Sequence, residues 1–118
     1  MADTTSTPAV KFTPEFKRNL RALAKKYRHI RADIEPIIAD LQAGALPGDQ
    51  VPGIGYTIFK VRVPNRDRAK GKSGGYRIIY YLKTATEIIL VTLYSKTEQS
   101  DISTVQIRQI VGEFENEK

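Results

Sequence analysis

The sequence predicts an α+β fold of two layers: an antiparallel sheet packed on a helical hairpin, with a further helix at the C-terminus. Three observations carry this. Two stretches between residues 14 and 43 repeat apolar residues at helical spacing. From Tyr56 onward the period shortens to two over three successive segments. The last stretch, about 103–116, returns to helical spacing. The 118 residues make room for one domain, read as 9–118 behind a small polar tail, residues 1–8, expected to be disordered.

Ala9-Val10-Lys11-Phe12 reads as a short strand. Thr13 before Pro14 reads as an N-cap followed by proline at the first helical position, where its missing N–H costs nothing. A first helix over about 14–27 follows, with Phe16, Leu20, Leu23, Ala24 and Tyr27 in one stripe. Arg28-His29 makes a tight connection, and His29 is given no further role. A second helix over about 31–43 repeats the pattern through Ile30, Ile34, Ile37, Ile38 and Leu41. Pro36 is placed near its first turn, where it is tolerated, and Gly44 closes it. Residues 44–55, rich in Gly and Pro, read as a connecting loop.

In Tyr56–Val63 the residues Phe59, Val61 and Val63 face one way, and Ile58, Lys60 and Arg62 the other. In Tyr76–Leu82 the even positions share a face opposite Arg77, Ile79 and Tyr81. Ile88–Tyr94 is a third, β-branched strand. Short connections favour antiparallel pairing among these three. Val105, Ile107, Ile110, Val111 and Phe114 mark the closing helix, which Ser103 can cap. With the helices on one face of the sheet, Lys60, Arg62 and Arg77 project from the open one. Three cations there need solvent or an anion.

Charge sharpens this. Nineteen Lys and Arg oppose thirteen Asp and Glu, a net charge of +6. Residues 11–31 hold eight cations against Glu15, and residues 60–77 hold seven against Asp67. Such clustering is a footprint for a polyanion. With no cysteine and a single histidine, disulfides, thiolate metal sites and ribonucleases built on two histidines are excluded. No metal and no cofactor is expected. No apolar run reaches a membrane span, and the first residues do not resemble a signal peptide, so the cytoplasm is the expected location. Lys70-Gly71-Lys72-Ser73 suggests a P-loop but fails its spacing, since Arg66 stands where the first Gly belongs; Gly74-Gly75 also leads into a strand, not a helix. A basic loop is the better reading. Its lysines would meet phosphate as mobile point charges, and Arg62 or Arg77 could grip it bidentately.

Lys60-Val61-Arg62, the strand Gly74-Gly75-Tyr76-Arg77-Ile78-Ile79-Tyr80-Tyr81, and Leu93-Tyr94-Ser95-Lys96-Thr97-Glu98-Gln99-Ser100-Asp101 resemble the RelE/ParE superfamily of toxins over about residues 9–116. The Lys70–Ser73 loop is similar to that of HigB-type members. The resemblance implies the toxin of a type II toxin–antitoxin system, a ribosome-dependent mRNA endoribonuclease. Its partners would be the ribosome, mRNA and a cognate antitoxin, often with a helix-turn-helix domain. Family positions that stabilise phosphate match Lys60, Arg62 and Arg77. The loop cations Arg66, Arg68, Lys70 and Lys72 would add RNA contacts. A further family arginine and a C-terminal tyrosine fall here at Thr97 and Ser103, and Lys96, Glu98 and Tyr94 lie near enough to substitute. The implied reaction is attack of an RNA 2′-hydroxyl on its adjacent phosphate, which needs a base, a leaving-group acid and cations. Glu98 is the candidate base, with Lys72 or Lys96 as alternatives, and Tyr94 would stack on a base or donate a proton. Two other functions fit the same fold: a ParE-like inhibitor of DNA gyrase and a nucleic-acid-binding module without activity.

Overall fold

The protein is described by a computed structural model over residues 7–66 and 75–116. The order is β1 (Ala9–Phe12), α1 (Pro14–Ala24), α2 (Ile30–Gln42), β2 (Asp49–Val51), β3 (Ile58–Val63), β4 (Tyr76–Thr84), β5 (Glu87–Ser95) and α3 (Thr104–Asn116). The five strands form one sheet in the order β1-β5-β4-β3-β2. The three long strands pair antiparallel as expected. The sheet as a whole is mixed, because β1 lies parallel to β5. The helices and strands between them in sequence supply the long connection that parallel pairing needs.

Local chemistry explains where the elements begin and end. Thr13 caps α1: its Oγ1 accepts from the Phe16 N–H at 2.9 Å and donates to the Val91 carbonyl at 2.7 Å. The cap thus ties the start of the helix to β5. α1 ends at Ala24, three residues short of the expected boundary. α2 closes in a Schellman motif, with Gly44 at φ 95° and the Ala45 N–H reaching back to the Asp40 carbonyl at 2.9 Å. Pro36 falls in mid-helix, not in the first turn. Its side is exposed, so water can serve the Ala32 carbonyl that loses its helical partner.

The expected 44–55 loop contains β2, which pairs Asp49, Gln50 and Val51 with Lys60, Phe59 and Ile58. Neither propensity nor periodicity announces a three-residue edge strand. Gly75, at φ 90°, immediately precedes β4. A side chain there would collide with the Val63 carbonyl, so this glycine serves a close backbone approach between strands.

Two cores flank the sheet. On one face α1 and α2 bury Phe16, Leu23, Ile30, Ile34 and Leu41 against Val61, Val63, Ile78, Tyr80 and Leu90. On the other, Ile107 and Val111 of α3 cover Ile58, Ile79 and Val91 with Ile54 from the preceding loop. The expectation that all helices share one face therefore fails for α3. Its apolar stripe needs a second surface, and the odd residues of β4 supply one. Arg108 fixes it, donating from Nε to the Ile54 carbonyl at 3.1 Å. Ser103 caps α3 through the Gln106 N–H, 3.1 Å away.

Candidate active site

α3 does not cover its whole face. Arg62 lies directly opposite Arg77, and Arg77 directly opposite Tyr94, in a row across β3, β4 and β5. Side-chain alternation places Lys60 two residues along β3 on the same face. The row sets two guanidinium-bearing residues side by side, an arrangement unfavourable in a sheet without a counterion. Arg62 is exposed, whereas Arg77 is buried and donates from Nη1 to the Tyr76 carbonyl at 3.2 Å.

A carboxylate joins the row. Asp101 Oδ1 lies 3.1 Å from Lys60 Nζ, accepts from the Tyr94 hydroxyl at 3.3 Å, and takes the Ile102 N–H at 2.8 Å. None of these contacts uses Oδ2. The Ile102 N–H, followed by the Lys60 ammonium, holds the Asp101 carboxyl below its ordinary value. Burial pushes the Tyr94 phenol up to about 12, helped by the Asp101 charge and opposed by Arg77. At neutral pH the site thus pairs an ionised carboxylate with a protonated phenol. Lys60, Arg62, Arg77 and Tyr94 were marked by the sequence, and the structure brings them together. Asp101 was seen only as the end of a motif. Its spacing of seven from Tyr94 is no recognisable signal, because the turn between them decides where it lands.

Glu98 goes elsewhere. Its Oε2 lies 2.5 Å from Lys26 Nζ and 3.5 Å from the Tyr27 hydroxyl, on the side of the helical hairpin. A groove of about 290 Å³ between α1 and the end of β5 includes Glu98, Glu15, Asn19 and Tyr94 in its lining, but not Lys60, Arg62 or Arg77. The segment after β5 thus turns from the helix side at Glu98 to the row side at Asp101. Lys96 donates to the Ser100 carbonyl at 2.7 Å and holds that turn. Thr97 bonds Ser95 through their hydroxyls at 3.0 Å, and Ser103 is engaged as a cap.

Arg66 is tied to α2. Its backbone N–H donates to Asp33 Oδ2 at 3.1 Å, and its Nε lies 3.0 Å from Oδ1, an ionic contact without hydrogen-bond alignment. The Asp33 side chain is 1% exposed, so this pair anchors the end of the β3 segment to the helix layer. Arg68, Lys70 and Lys72 lie outside the described residues. Among the described residues, no three His, Asp or Glu side chains gather as metal ligands, and no helix is long and apolar enough to cross a membrane.

A row of cations beside a carboxylate and a protonated phenol can hold a phosphodiester and move protons around it. A comparison with protein families meets the same chain from another direction. The model described as the RelE toxin of the RelE/RelB toxin–antitoxin system matches residues 15–112, from the first turn of α1 to the third turn of α3. That span includes every residue of the row and most of the fold, and the chain belongs to the RelE toxin family of toxin–antitoxin systems.

Proposed function

We propose that this protein is a ribosome-dependent mRNA endoribonuclease, kept silent by its antitoxin and acting in the cytoplasm. The observation that carries the reading is the Arg62–Arg77–Tyr94 row with Lys60 and Asp101 at its side. A gyrase inhibitor needs no such juxtaposition of phosphate-binding cations with a proton acceptor and a proton donor.

In the proposed reaction Arg62 and Arg77 hold the scissile phosphate and offset the charge that develops on it. Asp101 Oδ2 takes the proton of the 2′-hydroxyl, whose oxygen attacks phosphorus. The 5′-oxygen leaves with the proton of Tyr94, giving a 2′,3′-cyclic phosphate and a free 5′-hydroxyl. Asp101 is a weak base by its lowered pKa, but it is fully ionised at neutral pH. Lys60 orients it and accompanies its charge. The base role passes from Glu98 to Asp101 because the Lys26 pair holds Glu98 on the helix side. Lys72 and Lys96 remain alternatives by chemistry, although Lys96 is bonded to the Ser100 carbonyl. Arg66, Arg68 and Lys70 are proposed to steer RNA toward the row. The likeness of the Lys70–Ser73 string to HigB-type toxins makes a helix-turn-helix antitoxin the proposed partner.

Cell-free translation of a defined mRNA, with 5′ ends mapped by primer extension, tests this. Wild type should cut only when ribosomes translate. Arg77→Ala should lower the rate by about 10²–10³-fold, as expected for loss of a charge-stabilising donor. Intact mRNA with the wild-type protein would remove the nuclease reading and turn attention to gyrase supercoiling assays.

A further inference from the structure

The row sits near the open end of the β3–β4 hairpin, where the ladder is weakest. The Leu82 N–H meets the Thr57 carbonyl at 2.9 Å. Counted by twos along the unbroken register, this makes Val63 and Tyr76 hydrogen-bonded partners and Arg62 with Arg77 a non-hydrogen-bonded pair. Side chains lie closer in a pair of the second kind, and like charges there push the strands apart. Beyond them the register holds only the Val63–Tyr76 pair. Pro64 follows, and without an N–H it cannot extend the ladder. The start of β4 is gripped from its other side, where the Lys96 N–H donates to the Gly75 carbonyl at 3.0 Å. The end of β3 is gripped from the helix layer. Asp33, in the first turn of α2, takes the Arg66 N–H on Oδ2 at 3.1 Å and holds Arg66 Nε 3.0 Å from Oδ1. Asn65, between the strand and this contact, is buried as well.

We propose that Asp33 is a positioning residue of the cleavage site: it clamps the end of β3 and keeps Arg62 beside Arg77 against their mutual repulsion. Until a phosphodiester offsets the two charges, the clamp keeps the row assembled. Stability alone is a poor reason for this arrangement. The Asp33 side chain is almost wholly buried, and a buried carboxylate paired with a guanidinium gains little over apolar packing. The N-terminal end of α2 favours the negative charge. Gripping both a backbone N–H and a side chain of one residue fixes where the segment lies. Asp33 touches neither substrate nor row. It acts through Arg66 and the short path Val63-Pro64-Asn65 back to Arg62. The Arg66 side chain stays largely exposed, so this use of its Nε leaves room for the steering role. The consequence for cleavage rests on the nuclease reading, whereas the clamp itself does not, and the test separates the two.

Amide hydrogen exchange of the free protein, read by NMR, tests the clamp. Asp33→Asn keeps an acceptor for the Arg66 N–H but removes the charge. Exchange at Val63 and Tyr76 should quicken about tenfold or more, whereas Val91 on β5 should stay within about twofold. Arg66→Gln, which leaves Asp33 in place, should act in the same direction. The decisive readout is a double variant. With Arg62→Gln the repulsion is gone, and adding Asp33→Asn should then change exchange at Val63 and Tyr76 by less than about twofold. Equal acceleration with and without Arg62→Gln would overturn the proposal and make Asp33 a general support of the fold. So would equal acceleration at Val91, or unchanged exchange in both single variants. On purified ribosomal complexes Asp33→Asn should lower kcat about tenfold or more with KM within about threefold, since misplaced phosphate-holding groups cost rate more than binding. An unchanged kcat would overturn the positioning role. A wild type that cuts no mRNA while the exchange pattern holds keeps the clamp and removes the nuclease. Cleavage without that exchange pattern does the reverse.

Discussion

Asp101 and Glu98 are both acids in the turn region after β5, three residues apart, yet they face different chemistry. Glu98 pairs with Lys26 across to the helical hairpin, and Asp101 meets Lys60 and Tyr94 beside the arginine row. Asp101→Asn should therefore reduce cleavage by on the order of 10²–10⁴-fold in single-turnover assays, the usual loss for a proton-transfer group. Glu98→Gln should stay within about threefold of wild type, because it removes only a surface ion pair. The opposite ranking would return the base role to Glu98.

The two shifted groups also set a pH profile. Asp101 has a depressed folded pKa, so its charge favours the fold above its unfolded value, and that contribution fades as pH falls through the folded one. Tyr94 has a raised pKa, so its contribution is complete below about 10 and is lost as pH rises through about 12. The proposed base and the proposed acid are then both in their working forms across neutrality. Cleavage rates should be flat from about pH 6 to about pH 9. A limb inside that window, measured by quench-flow on purified ribosomal complexes, would point to a different titrating pair.

At the scale of elements, the joints between helix and strand show what a sequence can announce. Thr13-Pro14 declares the start of α1, and Gly44 the end of α2, because each turn needs those residue types. The second bond of Thr13, to the Val91 carbonyl 78 residues away, is not legible, since it depends on how α1 docks on β5. β2 escapes notice for a related reason: only its partner β3 makes Asp49–Val51 a strand. Thr13→Ala would remove the cap and also leave the Val91 carbonyl without its donor. The expected cost is about 2–3 kcal/mol, the sum of a lost cap and an unsatisfied buried acceptor. At this chain length that lowers the melting temperature by about 8–12 °C. Thr13→Ser keeps both bonds and should melt within a few degrees of wild type. Equal losses in the two variants would show that the methyl group, and not the hydroxyl, matters at this joint.

For the whole molecule, alternation along β3 and β4 was enough to predict that Lys60, Arg62 and Arg77 share a face, since side-chain direction in a strand is fixed by parity. The position of α3 was not predictable in that way. Its stripe of Ile107, Ile110 and Val111 says that one side is apolar, not which side of the sheet receives it, and Val105, expected in the same pattern, is exposed. By choosing the row's own face, α3 leaves the cations at one end of a covered surface. The clustered positive charge also opposes compaction. Arg62 faces Arg77, Arg21 and Lys25 follow Lys17 at helical spacing, and the net charge is +6, while most of the ion pairs involve an exposed partner and add little. Raising the salt from about 0.02 M to about 0.2 M shortens the Debye length from about 20 Å to about 7 Å and screens that repulsion. The melting temperature of the free protein, read by differential scanning fluorimetry, should therefore rise with salt. A melting temperature that falls with salt would mean that the ion pairs, Asp33–Arg66 foremost, outweigh the repulsion, and that the basic surfaces carry no stability cost of the kind described.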